Sequence, residues 1–211
     1  MNPTIVSVSG FSSEVGKTTT ICRLLALLPG WEAIKITRGH YRSCGKDPDT
    51  CCVSTILGEH PHVLSDPNLT RVPGKDTGRY WEAGATMVHW VIGTDDQIES
   101  GINTALSRVR AEGVLVEGAS FLKYVSANYS MMVAGLATSD IKSSAVRIMS
   151  QMNALLVMRD APGAAIESEL RGRLQRRGLP TLDLPVFFER DLPLIADQIM
   201  RVHRARRIRA S

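Results

Sequence analysis

The chain has 211 residues, of which 44% are hydrophobic and 22% are charged, and its formal net charge at pH 7 is +4. This length suits one sizeable α/β domain rather than two. The mild positive charge is compatible with anionic ligands but is too small to indicate nucleic-acid binding. No segment is apolar for the roughly 18 residues that a membrane-spanning helix requires, and the first residues lack the features of a signal peptide. We therefore expect a cytoplasmic protein that does not contact a membrane.

The first elements of the chain are predicted to be strand, loop, helix and strand. Residues 4–9 are rich in β-branched side chains and predict a buried strand. Residues 17–28 place apolar side chains at helical spacing, and the Pro-Gly pair at 29–30 ends that helix. Residues 31–37 predict the second strand. The order implies that the loop between residues 10 and 16 lies at the carboxyl end of the first strand.

That loop, GFSSEVGKTTT at residues 10–20, is close to a phosphate-binding loop. The usual pattern has four residues between its first glycine and the Gly-Lys-Thr triplet, and here there are five. Amide groups at the start of a helix attract phosphate, Lys17 would reach the β- and γ-phosphates, and the hydroxyl of Thr18 would bind Mg²⁺. The alternative is an ordinary capped helix after a loop. The residues predicted to hold the nucleotide are Gly10, Ser12, Ser13, Glu14, Val15, Gly16, Lys17, Thr18 and Thr19.

Residues 38–75 interrupt the alternation of strands and helices with a stretch rich in Gly, Pro, Asp, Cys and His. We interpret the chain as a single domain, 1–211, with an irregular insert at about 38–75. The insert concentrates soft metal ligands that suit Zn²⁺, namely Cys44, Cys51, Cys52, His60 and His62. Their spacing is less regular than that of paired zinc-binding cysteines. Reduced free cysteines, a disulfide or redox sensor, and a less favoured Fe–S cluster remain alternatives.

Three polar residues outside the loop are candidates for the same site. Lys35 lies within an apolar strand, where an ammonium needs an anionic partner such as a phosphate, a substrate carboxylate or Glu117. Residues Val114–Gly118 predict a central strand, and Glu117 lies near its carboxyl end. Ligands bind at the carboxyl ends of such strands. Asp76 begins a predicted helix over 76–85, where it would be the N-cap, a magnesium ligand or both.

The rest of the chain continues the alternation. Strands are predicted at 86–92, 129–136, 154–160 and 179–185. Helices are predicted at 94–113, with Thr94 or Asp95 as cap and Gly113 as stop, and at 139–152, 164–178 and 191–207. This order predicts an α/β fold with a mainly parallel, doubly wound sheet and helices on both faces, which gives three layers.

Several segments resemble known families. RVPGKDTGRYWEAGA at residues 71–85 resembles a Pro-Gly-Lys-Asp-Ser…Arg…Ala-Gly-Ala segment of the molybdopterin-guanine dinucleotide biosynthesis protein B family. Residues 34–40 resemble that family's Ile-Lys-His-Thr-His-His strand end, and VLVEG at 114–118 resembles its Leu-Val-Glu-Gly. The loop with Glu-Val-Gly-Lys-Thr is similar to that of dethiobiotin synthetases. Both groups are P-loop NTPases and are often dimeric.

The resemblance implies roles for individual residues. Gly16, Lys17, Thr18 and Thr19 would hold phosphates. Mg²⁺ would be bound by Thr18, Asp76 and Glu117. Lys35 would approach the phosphates or the substrate. The residues expected to take part in phosphoryl transfer are Lys17, Lys35, Asp76 and Glu117.

Three functions follow as hypotheses. The first is a Mg²⁺-dependent protein that binds ATP or GTP and acts as a slow NTPase or accessory protein in molybdenum-cofactor biosynthesis. The second is an ATP-dependent small-molecule ligase or kinase of the dethiobiotin synthetase type. The third is a metal-responsive nucleotide sensor. The expected partners are a nucleotide, a small molecule or a protein of the cofactor pathway, and a second copy of the chain; no nucleic-acid partner is expected.

Overall fold

We analysed a computed structural model of the chain, which describes residues 2–39, 57–135, 141–159, 163–179 and 184–210. The strands are β1 Thr4–Gly10, β2 Glu32–Arg38, β3 His62–Leu64, β4 Val88–Gly93, β5 Gly113–Glu117, β6 Tyr129–Ala134, β7 Ala154–Val157 and β8 Val186–Phe188. The α-helices are α1 Lys17–Leu27, α2 Pro67–Thr70, α3 Asp76–Glu82, α4 Ile98–Arg108, α5 Ser143–Ile148, α6 Gly163–Arg176 and α7 Leu192–Ala210. Short 3₁₀ turns lie at Phe121–Lys123, Met149–Gln151 and Glu189–Asp191.

The strands in the described part of the chain form one sheet in the order β3-β4-β2-β5-β1-β6-β7-β8. All neighbouring pairs are parallel except β3 and β4, which are antiparallel. The central strands β5 and β6 are buried at every position, as expected for a parallel sheet covered on both faces. The predicted α/β class with a mainly parallel sheet is confirmed.

Two hydrophobic cores lie on the two faces of this sheet. One contains apolar side chains of α1, α3 and α7, including Ile21, Tyr80 and Ile195. The other contains side chains of α4, α5 and α6, including Ile102 and Leu170. The helices therefore form one layer on each face, and the sheet is the layer between them.

The strand order places the loop after β1 beside the end of β5. After β1 the chain forms β2 and β4 on one side of the sheet, and β5 then returns to lie between β2 and β1. The next strand, β6, lies on the other side of β1. Ligands of doubly wound sheets bind at such reversals of strand order, outside the carboxyl ends of the strands.

Some predicted boundaries were wrong. Helix α4 begins at Ile98, where Gln97 rather than Thr94 or Asp95 is the N-cap, and it ends at Arg108 because Val109 is extended. Gly113 is therefore not the helix stop but the first residue of β5.

The last strand in the described residues is Val186–Phe188, which lies just after the predicted range of 179–185. Residues 180–183 of that range lie outside the described part of the chain. Within the described part of 38–75, β3 and α2 were not predicted. The latter begins with Pro67 after the N-cap Asp66, whose carboxylate accepts a 2.9 Å hydrogen bond from Asn68 N. None of the helices in the described ranges has the length and apolar composition needed to cross a membrane.

Candidate functional site

A cavity of about 610 Å³ opens at the carboxyl ends of β1, β2 and β5. It is polar and is bounded by the loop after β1, the first turn of α1, the start of α3 and the loop after β5. Five cationic and three anionic side chains line it: Lys17, Lys35, Arg38, Arg79, Lys142, Glu14, Asp76 and Glu117. Every predicted residue of the nucleotide and magnesium sets contributes to the lining except Val15.

The loop after β1 is attached to the sheet at its start. Phe11 is buried in the core; its amide donates to Val133 O at 3.0 Å and its carbonyl accepts from Lys142 N at 2.8 Å. Beyond it the backbone turns through left-handed conformations at Glu14 (φ 59°) and Gly16 (φ 98°). Glu14 itself is exposed to solvent. Successive turns of this kind direct amide groups into a concave, anion-binding arrangement.

The start of α1 supplies further amide donors. Gly16 is the N-cap and, being glycine, has no side chain that could make a capping hydrogen bond. The first hydrogen bond of the helix is donated by Thr20 N to Gly16 O at 2.8 Å. The amides of residues 17–19 precede this bond, so they have no acceptor within the helix. Together with the helix dipole they form a favourable site for an anion.

Two glycines of the loop have no room for a side chain. A Cβ atom on Gly10 would lie 2.6 Å from Val15 Cγ2 and 2.9 Å from Lys17 Cδ. A Cβ atom on Gly16 would lie 2.9 Å from Met158 Cγ, in addition to the strain of the positive φ angle. The longer loop therefore packs closely around the aliphatic part of Lys17.

The ammonium of Lys17 curls back over this loop. Its Nζ donates a 2.9 Å hydrogen bond to Ser12 O. Within the described ranges Lys17 forms no ion pair with a carboxylate. Burial lowers the pKa of Lys17, and the charge of Glu117 opposes this effect without cancelling it. The site therefore holds a partly desolvated cation that a bound anion would stabilise.

Lys35, in contrast, is fully paired. Its Nζ lies 2.6 Å from Asp76 Oδ2 and 2.6 Å from Glu117 Oε1. Burial alone would lower the pKa of Lys35, but the charge of Glu117 and the hydrogen bonds to both carboxylates raise it above its ordinary value. The sequence predicted that this lysine needs an anionic partner, and the protein supplies two, Asp76 and Glu117.

Glu117 is the buried centre of the cluster. One of its oxygens binds Lys35, and the other accepts a 2.9 Å hydrogen bond from Thr18 Oγ1 and a short one from the hydroxyl of Tyr80. Burial, and then the charge of Glu117, raises the pKa of Tyr80 well above its ordinary value, so the phenol is a donor. The carboxylate is thus held from three elements, α1, β2 and α3.

The sequence suggested Asp76 as the N-cap of α3, and this part of the prediction was wrong. Lys75 occupies the cap position without a side-chain hydrogen bond, and Asp76 is the first helical residue, where its charge favours the helix dipole. Burial would raise the pKa of Asp76, but its hydrogen bond to Lys35 and the nearby positive charges lower it.

The oxygens of Thr18, Asp76 and Glu117 surround one small region, which is the kind of donor set that Mg²⁺ prefers. These residues fit the ion, with one condition. The ammonium of Lys35 occupies the position between the two carboxylates, so a bound Mg²⁺ would compete with it. Movement of Lys35 toward an added phosphate would relieve this competition.

The predicted zinc ligands cannot be placed as a set. Cys44, Cys51 and Cys52 lie outside the described residues, and His60 and His62 are exposed. In the ranges that the structure describes, no group of three or more His, Cys, Asp or Glu residues could hold a metal ion.

Two cations near the loop were assigned no role from the sequence. Arg79 Nη2 donates to Thr19 Oγ1 at 3.2 Å, and Lys142 Nζ donates to Ser13 Oγ at 2.8 Å. Arg79 lies in the segment that resembles the molybdopterin family, which was the available signal. Lys142 had no sequence signal, because it reaches the loop through the backbone contact of residue 142 with Phe11.

No family model and no curated protein matches the sequence. Among solved structures, LpxK from Aquifex aeolicus in complex with ATP is similar, with 14% identity over 89% of this chain and 71% of LpxK, and a TM-score of 0.43. A protein proposed to act in plasmid partition from Borrelia burgdorferi B31, bound to AMPPNP, has 12% identity over 97% of this chain and 99% of its own, with a TM-score of 0.42.

Proposed function

We propose that this chain binds a nucleoside triphosphate together with Mg²⁺ in the cavity beside β1. The observation that carries the proposal is Lys17, a partly buried ammonium whose one partner among the described residues is the carbonyl oxygen of Ser12. The amides of the first turn of α1, which have no acceptor within the helix, favour the same ligand. Phosphate oxygens can accept hydrogen bonds from these amides and from the ammonium. The adjacent side chains, Arg79 and Lys142, add positive charge at the loop.

The roles of the remaining residues follow from this placement. Mg²⁺, when bound, would neutralise phosphate charge and polarise the γ-phosphoryl group. Thr18, Asp76 and Glu117 would hold the ion, and Lys35 would turn its ammonium to the γ-phosphate. During hydrolysis a water oxygen attacks the γ-phosphorus while the bond to the β-phosphate oxygen breaks, and the nucleoside diphosphate keeps the electron pair. The protein would act by positioning and charge neutralisation.

The biological role that we propose is that of a slow NTPase or accessory protein in molybdenum-cofactor biosynthesis. Its support is the sequence likeness at residues 71–85, which includes Asp76 and Arg79, both of which line the cavity. A small-molecule ligase or kinase is the second candidate, and it is favoured by the loop with Glu14 and by room for an acceptor beside the phosphates. The nucleotide of this proposal is ATP or GTP.

Calorimetric titration with Mg²⁺-AMPPNP and Mg²⁺-GMPPNP tests the proposal. The wild-type chain should bind at least one of them, and Lys17→Ala should abolish that binding because the phosphates lose their ammonium partner. Lys75→Ala is the matched control, since Lys75 is exposed and does not line the cavity. Equal affinity of Lys17→Ala and the wild type for both nucleotides would refute the site.

A further inference from the structure

A second cavity, of about 630 Å³, adjoins the proposed nucleotide site. It lies on the sheet face that carries α4 and α5. The two cavities have four lining residues in common: Arg38, Ala119, Ser120 and Ser144. Ala119 and Ser120 follow Glu117 by two and three positions, so the shared wall is at the magnesium end of the first cavity. The volume is in the range of about 300–1,000 Å³ that is typical of small-molecule sites.

The floor of the second cavity is apolar. Ile98 and Ile148 come from α4 and α5, and Leu122 comes from the 3₁₀ turn after β5. All three are buried in the core on this face of the sheet. Tyr124 adds a half-buried aromatic ring to the wall. A ligand with an apolar or ring-shaped body would fit such a surface.

The rim of this cavity is cationic. Arg38, Lys123 and Arg147 line it, and Asp95 is the one acidic side chain among the lining residues that the structure describes. The Asp95 carboxylate is already paired with Arg38 Nη1 at 2.9 Å.

The other two rim cations have no carboxylate partner among the residues that the structure describes. Lys123 Nζ donates to the hydroxyl of Tyr124 at 3.1 Å and lies 4.9 Å from the centre of its ring. Arg147 forms no ion pair with any residue in the described ranges. Two positive charges at the rim are therefore not neutralised by any carboxylate in the described ranges of the chain.

We propose that the second cavity binds an anionic small molecule with an apolar body, held at the same time as the nucleotide. This inference rests on the proposed function, because the ligand would be the acceptor of the small-molecule ligase or kinase, the second candidate above. Arg147 and Lys123 would bind its carboxylate or phosphate group, and Ile98, Leu122 and Tyr124 would contact its body. The shared wall at Ser120 would bring the opposite end of the ligand toward the first cavity.

The test uses 1-naphthyl phosphate as an anionic fluorescent probe and 1-naphthol as its neutral counterpart. Both are titrated into the full chain saturated with Mg²⁺-AMPPNP, so that the phosphate loop is occupied. The phosphate should bind more tightly than the naphthol. Arg147→Gln and Lys123→Gln should each weaken phosphate binding about three- to tenfold, as expected for a partly exposed charge-assisted hydrogen bond, and leave naphthol binding unchanged. Arg204→Gln, an exposed arginine of α7 remote from the cavity lining, should have no effect.

Three results would overturn the inference. The first is equal affinity for 1-naphthyl phosphate and naphthol. The second is equal affinity of Arg147→Gln and Arg204→Gln for 1-naphthyl phosphate. The third is binding of 1-naphthyl phosphate to the nucleotide-free chain that is lost when the chain is saturated with Mg²⁺-AMPPNP. Calorimetry of Mg²⁺-AMPPNP with the same protein separates the two proposals. Normal nucleotide binding combined with any of these results would refute the second site alone, whereas loss of nucleotide binding in the wild type would refute the proposed function and this inference with it.

Discussion

Thr18 Oγ1 donates a 2.9 Å hydrogen bond to Glu117 Oε2, which joins the first turn of α1 to the end of β5 across 99 positions of sequence. The contact exists because β5 pairs directly with β1, although β2, β3 and β4 precede it in the chain. It brings a carboxylate to the start of a helix whose amides favour an anion, so the carboxylate and a phosphate bound there would repel each other without an intervening cation. Lys35 supplies a cation there, and Mg²⁺ would supply another.

Replacement of Lys35 by methionine should destabilise the protein and make it respond to Mg²⁺. The change keeps the aliphatic length but leaves the carboxylates of Asp76 and Glu117 without their shared ammonium. We expect a loss of about 2–4 kcal/mol in the free energy of unfolding, toward the lower end because Asp76 is partly exposed. Added Mg²⁺ should restore part of it, as measured by thermal unfolding with and without the ion.

The double variant Lys35→Met/Glu117→Gln is the control for this interpretation. The side chain at position 117 is neutral in this double variant. The double variant should therefore be more stable than Lys35→Met alone and less responsive to Mg²⁺. If Lys35→Met unfolds at the wild-type temperature, the ammonium does not hold the two carboxylates together.

Gly16→Ala and Gly30→Ala should separate backbone strain from damage to the site. Both glycines have positive φ angles, 98° and 86°, so each alanine costs about 1–2 kcal/mol of stability. A Cβ atom on Gly30 has no atom within 4 Å, whereas one on Gly16 meets Met158. Calorimetry should show at least about tenfold weaker nucleotide binding for Gly16→Ala and wild-type binding for Gly30→Ala. Equal affinity of both variants would mean that the loop geometry is not needed.

The contribution of Asp76 should disappear in acid. Its folded-state pKa lies below the ordinary value of 3.8, so the stability it adds is fully present above that pH and is lost as the pH falls through the lowered folded-state pKa. Asp76→Asn should therefore be less stable than the wild type by about 1 kcal/mol between pH 5 and pH 8, and the difference should diminish as the pH falls below 3.8. Denaturant unfolding across this pH range measures it.

Asp197→Asn is the control for this pH dependence. Asp197 is exposed on α7 and forms no ion pair in the described part of the chain, so this variant should match the wild type at each pH. A gap between Asp76→Asn and the wild type that stayed constant down to pH 2 would show that the Lys35 contact is not electrostatic.

The cysteine-containing insert is predicted to bind zinc. Metal analysis of the purified protein should find about one equivalent, and Cys51→Ser should lose it because a thiolate ligand is removed. Cys22→Ser should keep the metal, since Cys22 lies in α1 and its Sγ lies 3.5 Å from Arg79 O. Sub-stoichiometric zinc and iron in the wild type, unchanged in Cys51→Ser, would leave the insert without a metal role.

Sequence patterns alone predicted the α/β class, the core strands and the loop before α1, because these depend on residues that are neighbours in the chain. Side-chain spacing decides whether a segment is a buried strand or an amphipathic helix, and the Gly-Lys-Thr triplet sits at a strand–helix junction that can be identified locally. Boundaries were less well predicted. Helix α4 begins later than expected, since several polar residues before it, at positions 94–97, were equally compatible with a cap or a loop.

The sequence by itself thus determined the order of strand, loop and helix at the start of the chain. It predicted a phosphate-binding loop there and gave Lys35, Asp76 and Glu117 as candidates for the same site. Only the tertiary structure decided that these three form one cluster, that Tyr80 completes it, and that Arg79 and Lys142 flank the loop. The reason is physical: their contacts depend on the order in which strands pair in the sheet, and that order is set by packing over the whole domain rather than by any local pattern.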